Sequence, residues 1–118
     1  MDIIKQKNFE DKLFNLCFDK NDRLSKQILF QYKSSKVVSR NFDEVGFYTN
    51  YEVLEKDLKI DNLNENFGDF TITYNNVDDA FGFMIMISDG YLNYLEGYTI
   101  VADVWSYDYD NFIFKVKN

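Results

Sequence analysis

The 118-residue chain contains no histidine, no proline and a single cysteine. Without histidine there is no Ser-His-Asp or Cys-His arrangement, no imidazole general base and no His-ligated zinc. Cys17 stands alone, so no intrachain disulfide can form, and it lacks the imidazole that most cysteine nucleophiles use. Its place in a helix-like apolar pattern marks a reduced, buried thiol and hence a cytoplasmic protein. No glycine-rich phosphate loop occurs. Residues 1–12 lack a hydrophobic signal core, and the longest apolar run, Ala80 to Ile87, is far too short to span a bilayer.

One absence is regional. From Ile60 to Phe114 there is no lysine, arginine or histidine, yet the stretch carries ten carboxylates and thirteen aromatic residues. Residues 1–35 hold seven Lys/Arg against five Asp/Glu, whereas residues 36–118 hold six against fifteen. The chain is polarised, mixed at its start and acidic and aromatic afterwards. A folded face built from the second part repels nucleic acid and anionic lipid and attracts a basic protein or a cation. The competing reading is an ordinary solvated surface whose bases come from other segments.

The length fits one domain over residues 1–118, large enough to bury about 65% of its unfolded surface. Phe9, Leu13, Leu16 and Cys17 fall at i, i+4, i+7 and i+8. That spacing predicts a helix with Asn8 as its cap and Glu10 and Asp11 in its first turn. Leu24, Ile28, Leu29 and Tyr32 predict a second helix, capped by Asp22 or Asn21 and ended by Ser34 and Ser35. Lys26, Gln27, Gln31 and Lys33 then face water.

Strands follow. Lys36–Phe42 and Gly46–Val53 flank Asp43-Glu44-Val45, a three-residue hairpin connection. Residues 55–68 read as a polar loop with at most one helical turn. Asp69–Tyr74 alternates, Asn75 to Asp79 is a turn, and Phe81–Ile87 is apolar on both faces, which predicts a central strand covered on both sides. Asp89-Gly90 specifies a tight type I′ hairpin returning through Tyr91–Tyr98, because both turn positions need φ > 0. Phe112–Lys117 closes the sheet. The fold class is α+β: two N-terminal helices packed on a mainly antiparallel sheet of five or six strands.

Carboxylate chemistry is what the composition leaves. Glu96 with Asp103 makes one conceivable glycosidase-like pair, but any two acids of the C-terminal part serve as well, and a strand-end role for Glu96 is simpler. Asp108-Tyr109-Asp110-Asn111 is like the start of a calcium loop without its turn glycine and terminal glutamate, so no metal is expected. No catalytic residue and no cofactor are expected either. In residues 104–110, alternation places Trp105, Tyr107 and Tyr109 on one side and Asp108 and Asp110 on the other. Exposed, that segment with Asp103 supplies what a protein-binding hot spot needs: rigid aromatic area and a carboxylate rim. Packed inward, the aromatic stripe is core.

Two segments carry a resemblance. Gly46-Phe47-Tyr48-Thr49-Asn50-Tyr51-Glu52-Val53 resembles a G-F-[FY]-T-x-[FY]-x-V strand of a group of small bacterial proteins. Asp89-Gly90-Tyr91-Leu92 with Leu95-Glu96-Gly97-Tyr98 resembles the DGxLxxLEGYT hairpin of the same group. Some members are associated with immunity proteins of toxin–immunity systems such as contact-dependent growth inhibition. The resemblance implies inhibition of a cognate toxin by direct binding, and the acidic composition makes a basic domain such as a nuclease the expected partner, with no nucleic-acid or membrane partner. Asp103, Trp105, Tyr107, Asp108, Tyr109 and Asp110 are the candidate partner-binding residues. The chain departs from the group in having no proline after Val53, and in reading Val104-Trp105-Ser106 where relatives tend to show Trp-Pro. The alternative is a small housekeeping domain that binds a metabolite or scaffolds an assembly; oligomeric state is left open.

Overall fold

Helix α1 runs from Ile3 to Phe18 in the computed structural model, which describes residues 2–117. Its cap is Asp2, not Asn8: the Asp2 carboxylate accepts from the backbone N–H of Ile4 at 3.0 Å and of Lys5 at 3.2 Å. The helix thus starts before its apolar stripe, with a first turn that exposes Ile3 and Ile4 and buries only Gln6. The buried face comprises Phe9, Leu13, Phe14, Cys17 and Phe18, while Leu16 is half-buried. Helix α2, Arg23–Ser34, begins at Asp22, whose carboxylate takes the Ser25 N–H at 2.7 Å.

The chain passes from α2 straight into β1, Ser35–Asp43, which pairs with β2, Gly46–Val53. The connection is two residues, not three. Asp43 pairs with Gly46, and the Asp43 side chain closes the turn by accepting from the Val45 N–H at 2.8 Å. A 3₁₀ turn at Lys56–Leu58 leads to β3, Glu65–Phe67, a short strand hidden in what the polar composition presents as a loop. Then come β4 (Phe70–Tyr74), β5 (Val77–Ser88), β6 (Tyr91–Thr99) and β7 (Ile113–Val116). The sheet order is β1-β2-β6-β5-β4-β7, with β3 beside the end of β5, and every pairing is antiparallel.

The β5–β6 turn has φ of 49° at Asp89 and 80° at Gly90, as a type I′ turn requires. Asn75 and Asn76 form a second tight turn of positive φ, 52° and 62°, so β5 starts at Val77. Asp79, at φ 54°, marks where β5 takes up extra residues against β4.

Both helices lie on one face of the sheet, over Phe47, Tyr51, Ile72, Phe81, Phe83, Ile85, Ile87 and Leu95. Strand β5 is therefore covered on one side, not two. Its other side carries Met84 and Met86, half-buried among Tyr94, Glu96 and Tyr98 of β6, with the Tyr98 ring lying over Gly82.

Under the helices runs a polar network. Glu10 is fully buried and receives a two-pronged hydrogen bond from Arg40, Nη2 to Oε1 at 2.7 Å and Nε to Oε2 at 3.0 Å. Thr49 and Gln6 also donate to its Oε2. Gln31 does not face water either. It is fully buried, donates to the carbonyls of Leu58 and Gly90, and accepts from the Leu92 N–H, which ties α2 to the hairpin tip.

Candidate functional site

Residues 100–108 form an irregular connection between β6 and the 3₁₀ turn at Tyr109–Asn111, so no strand pairing displays the aromatic stripe. Its course is set by backbone bonds to two neighbours. Thr99 N–H donates to the Val45 carbonyl at 3.1 Å, and Trp105 N–H to the Glu44 carbonyl at 2.7 Å. Ile100 donates to Ala80 at 2.9 Å and Val101 to Asp79 at 3.1 Å. The segment thus bridges the β1–β2 turn and the start of β5.

Trp105 and Tyr109 belong to the core and are not available as surface anchors. Trp105 lies 4.7 Å from Phe81 and 5.5 Å from Phe47, centroid to centroid. Room for its ring is made by Gly97, where a Cβ would come within 2.8 Å of the indole and 2.4 Å of the Phe47 ring. Tyr109 stacks on Phe9 and donates its hydroxyl proton to Gln6. Burial pushes the Tyr109 phenol well above its ordinary value. Tyr107 is half-buried, edge-on to Phe42 at 5.8 Å, and its phenol is raised by burial and by the Asp43 carboxylate.

The three acids of the set are exposed, and they divide. Asp108 accepts from Tyr74 at 3.1 Å and from Asn111 at 2.8 Å. Asp108 and Asp110 line a cleft of ≈ 240 Å³ together with Lys5 and Lys12 of α1, so bases from another segment stand beside them. Asp103 instead lies in the 100–108 connection, two residues before Trp105, whose N–H is bound to Glu44. Glu96 is mid-strand on the open face, opposite Tyr48 and Met84, and among the described residues no hydrogen bond joins it to Asp103.

Of the ten carboxylates between residues 60 and 114, Asp89 alone forms an ion pair among the described residues, with Lys59 at 3.5 Å. The sequence stripe missed the aliphatic side chains exposed in and beside this segment: Val45, Ile100, Val101 and Val104. The signal was present in Ile100-Val101, which follows the strand without continuing its alternation.

No family model matches the chain, and neither a curated protein nor a solved structure matches it. The resemblance therefore rests on its two motifs, whose residues form β2 and the β5–β6 hairpin, adjacent at the centre of the sheet. Their glycines meet: a Cβ on Gly46, at φ 151°, would stand 1.9 Å from the Gly97 carbonyl oxygen. Packing explains both glycines, so these motif positions speak to fold rather than to chemistry.

Proposed function

We propose that the protein is a cytoplasmic immunity protein that binds a cognate toxin domain of basic surface, such as a nuclease, and neutralises it by covering its active site. The observation that supports this reading is the run of acids from Asp61 to Asp110, all but Asp89 without an ion-pair partner among the described residues. A nuclease site is electropositive because it holds phosphates, so an acidic inhibitor gains both encounter rate and complementarity there. The two motifs at the sheet centre point the same way by resemblance.

The competing reading, a metabolite-binding domain, has one feature in its favour. An open cleft of ≈ 540 Å³ lies between α2 and residues 57–59, lined by Arg23, Lys26, Phe30 and Lys59. Its lining is mostly exposed side chains, unlike the apolar, enclosed pockets that hold small ligands.

The deciding experiment is co-expression with the C-terminal domain of a large secreted protein encoded beside this chain in its native genome. Growth rescue and a complex that co-elutes on size exclusion are the expected results. Absence of such a neighbour, or a toxin that kills unabated without forming a complex, overturns the reading.

A further inference from the structure

One end of the sheet gathers exposed aliphatic side chains that no packing requirement of the fold accounts for. Val45 is 52% exposed, Ile100 46%, Val101 60% and Val104 59%. They come from two segments distant in sequence, brought together by the Thr99–Val45 and Trp105–Glu44 backbone bonds. The connection is also pinned to β5 by the Ile100 and Ala102 N–H groups, both on the Ala80 carbonyl, at 2.9 and 3.3 Å. Buried Trp105 anchors it from below. Little ordering cost is left for a partner to meet, which favours binding by a preformed surface.

We propose that this patch, with Asp43, Glu44 and Asp103 at its rim, is the docking surface for a folded basic protein domain. Charge decides the occupant. Residues 41–55 and 60–114, which supply every side chain of the patch and rim, contain no lysine or arginine. On the β7 side Lys115 and Lys117 share a cleft with Asp79 and Ile100, whereas Asp43, Glu44 and Asp103 form no ion pair among the described residues. A second copy of the chain would bring like charges together at a net charge of −7. Nucleic acid and anionic membrane are repelled for the same reason. An apolar centre whose rim is acidic on the Asp43, Glu44 and Asp103 side matches a partner carrying aliphatic residues among lysines and arginines. That this domain is a toxin rests on the function proposed above; the location of the surface does not.

The test uses ¹⁵N-labelled full-length protein titrated with a synthetic amphipathic helix of lysine and leucine, and separately with oligolysine. The expected result is saturable amide shifts concentrated at residues 43–46 and 99–105 with the lysine–leucine peptide, and weaker ones with oligolysine. The V101S/V104S variant, changed only at exposed positions, should keep its circular dichroism and bind the peptide about tenfold more weakly. Equal effects of both peptides spread over all acidic residues would overturn the proposal. So would shifts centred on Tyr48, Tyr94 and Met84 of the open face, or unchanged affinity in V101S/V104S. Toxin neutralisation is read in the co-expression assay, so a failure of the surface and a failure of the immunity reading remain distinguishable.

Discussion

Phe9 and Tyr109 stack with ring centroids 3.8 Å apart and planes 6° from parallel, joining the first helix to the last turn before β7. The Tyr109 hydroxyl continues the link, donating to Gln6, which in turn donates to Glu10. The acidic connection is therefore fastened from the inside by residues for which alternation alone leaves a surface and a core reading open. Whatever this segment presents outward is presented rigidly.

Tyr109→Ala should destabilise the fold by about 3–5 kcal/mol, the range for losing a large aromatic side chain from a core. Tyr109→Phe keeps the stack but leaves the Gln6 carbonyl oxygen short of a donor, for about 1–3 kcal/mol. Urea unfolding followed by tryptophan fluorescence measures both, because Trp105 sits 6.5 Å from the Tyr109 ring. Wild-type stability in the alanine variant would mean that Tyr109 is free of the core.

Gly90→Val tests the hairpin. A β-branched residue at φ 80° carries a strain of about 1–2 kcal/mol or more. Its Cβ would also stand 2.5 Å from the Ile60 carbonyl oxygen. That carbonyl belongs to the 55–64 loop, which Gly90 itself holds through the Ile60 N–H at 3.0 Å and the Leu63 carbonyl at 2.9 Å. The melting temperature should fall by several degrees, on a scale between the about 4–8 °C per kcal/mol of 60–100-residue domains and the about 2–4 °C of 150–250-residue ones. An unchanged value would show the turn to be misplaced.

The helices, the central strands and the Asp89-Gly90 turn were legible because each rests on local signals: apolar period, cap residues and a turn dipeptide with one favoured geometry. What escaped was set by tertiary partners. Gln31 looks solvent-facing on a helical wheel, yet its bonds to the Leu58 and Gly90 carbonyls and the Leu92 N–H draw it inward. Strand β3 exists because β5 continues past the end of β4 and leaves an edge for it to pair with. Met84 and Met86 made β5 look covered on both faces, whereas one face is only flanked by Tyr94 and Tyr98. The candidate site divided for a similar reason. Parity grouped Trp105, Tyr107 and Tyr109 correctly, but only Gly97 and Phe9, distant in sequence, determine that the group turns inward.

Arg40→Ala should destabilise the protein by about 3–5 kcal/mol, because it strands the buried Glu10 carboxylate without its cation. The pair holds α1 against β1 across 30 residues of sequence. Replacing both partners by methionine should recover much of that loss, since removing a buried pair together is far less costly than halving it. Calorimetry of the wild type and the two variants gives the comparison; a double variant no better than Arg40→Ala would mean that the Thr49 and Gln6 bonds matter more than the ion pair.

Cys17 is a clean reporter of opening. Burial, followed by the charge of Asp69, pushes its thiol from 9.0 up to about 12. Native protein should therefore label with a disulfide reagent only through unfolding, at a rate that follows added urea. The sign of the linkage is definite. A group whose folded value is raised contributes stability fully below pH 9, and that contribution is lost as pH climbs from there toward 12. Cys17→Ala should remove this share of the alkaline loss, leaving the part due to the raised tyrosines. Rapid labelling at pH 8 without denaturant would place the thiol at the surface.

The last expectation separates the acids by their surroundings. Asp108 and Asp110 stand beside Lys5 and Lys12, and Asp108 is engaged by Tyr74 and Asn111, so their field is partly spent within the protein. Glu44 and Asp103 have no cation paired with them among the described residues and sit at the rim of the aliphatic patch. Against a basic toxin domain, Glu44→Gln with Asp103→Asn should lower kon by about tenfold at low ionic strength, within the range that steering supplies. Asp108→Asn with Asp110→Asn should lower it less. Both differences should shrink as salt shortens the screening length to about 8 Å at physiological strength. Neither pair should change koff much, because exposed rim charges act on encounter, whereas Val101→Ser and Val104→Ser should act on koff. Stopped-flow mixing over a salt series reads all three. If the two acidic pairs slow association equally, the field is spread over the whole C-terminal surface, and the end of the sheet near Val45 has no special claim on the partner.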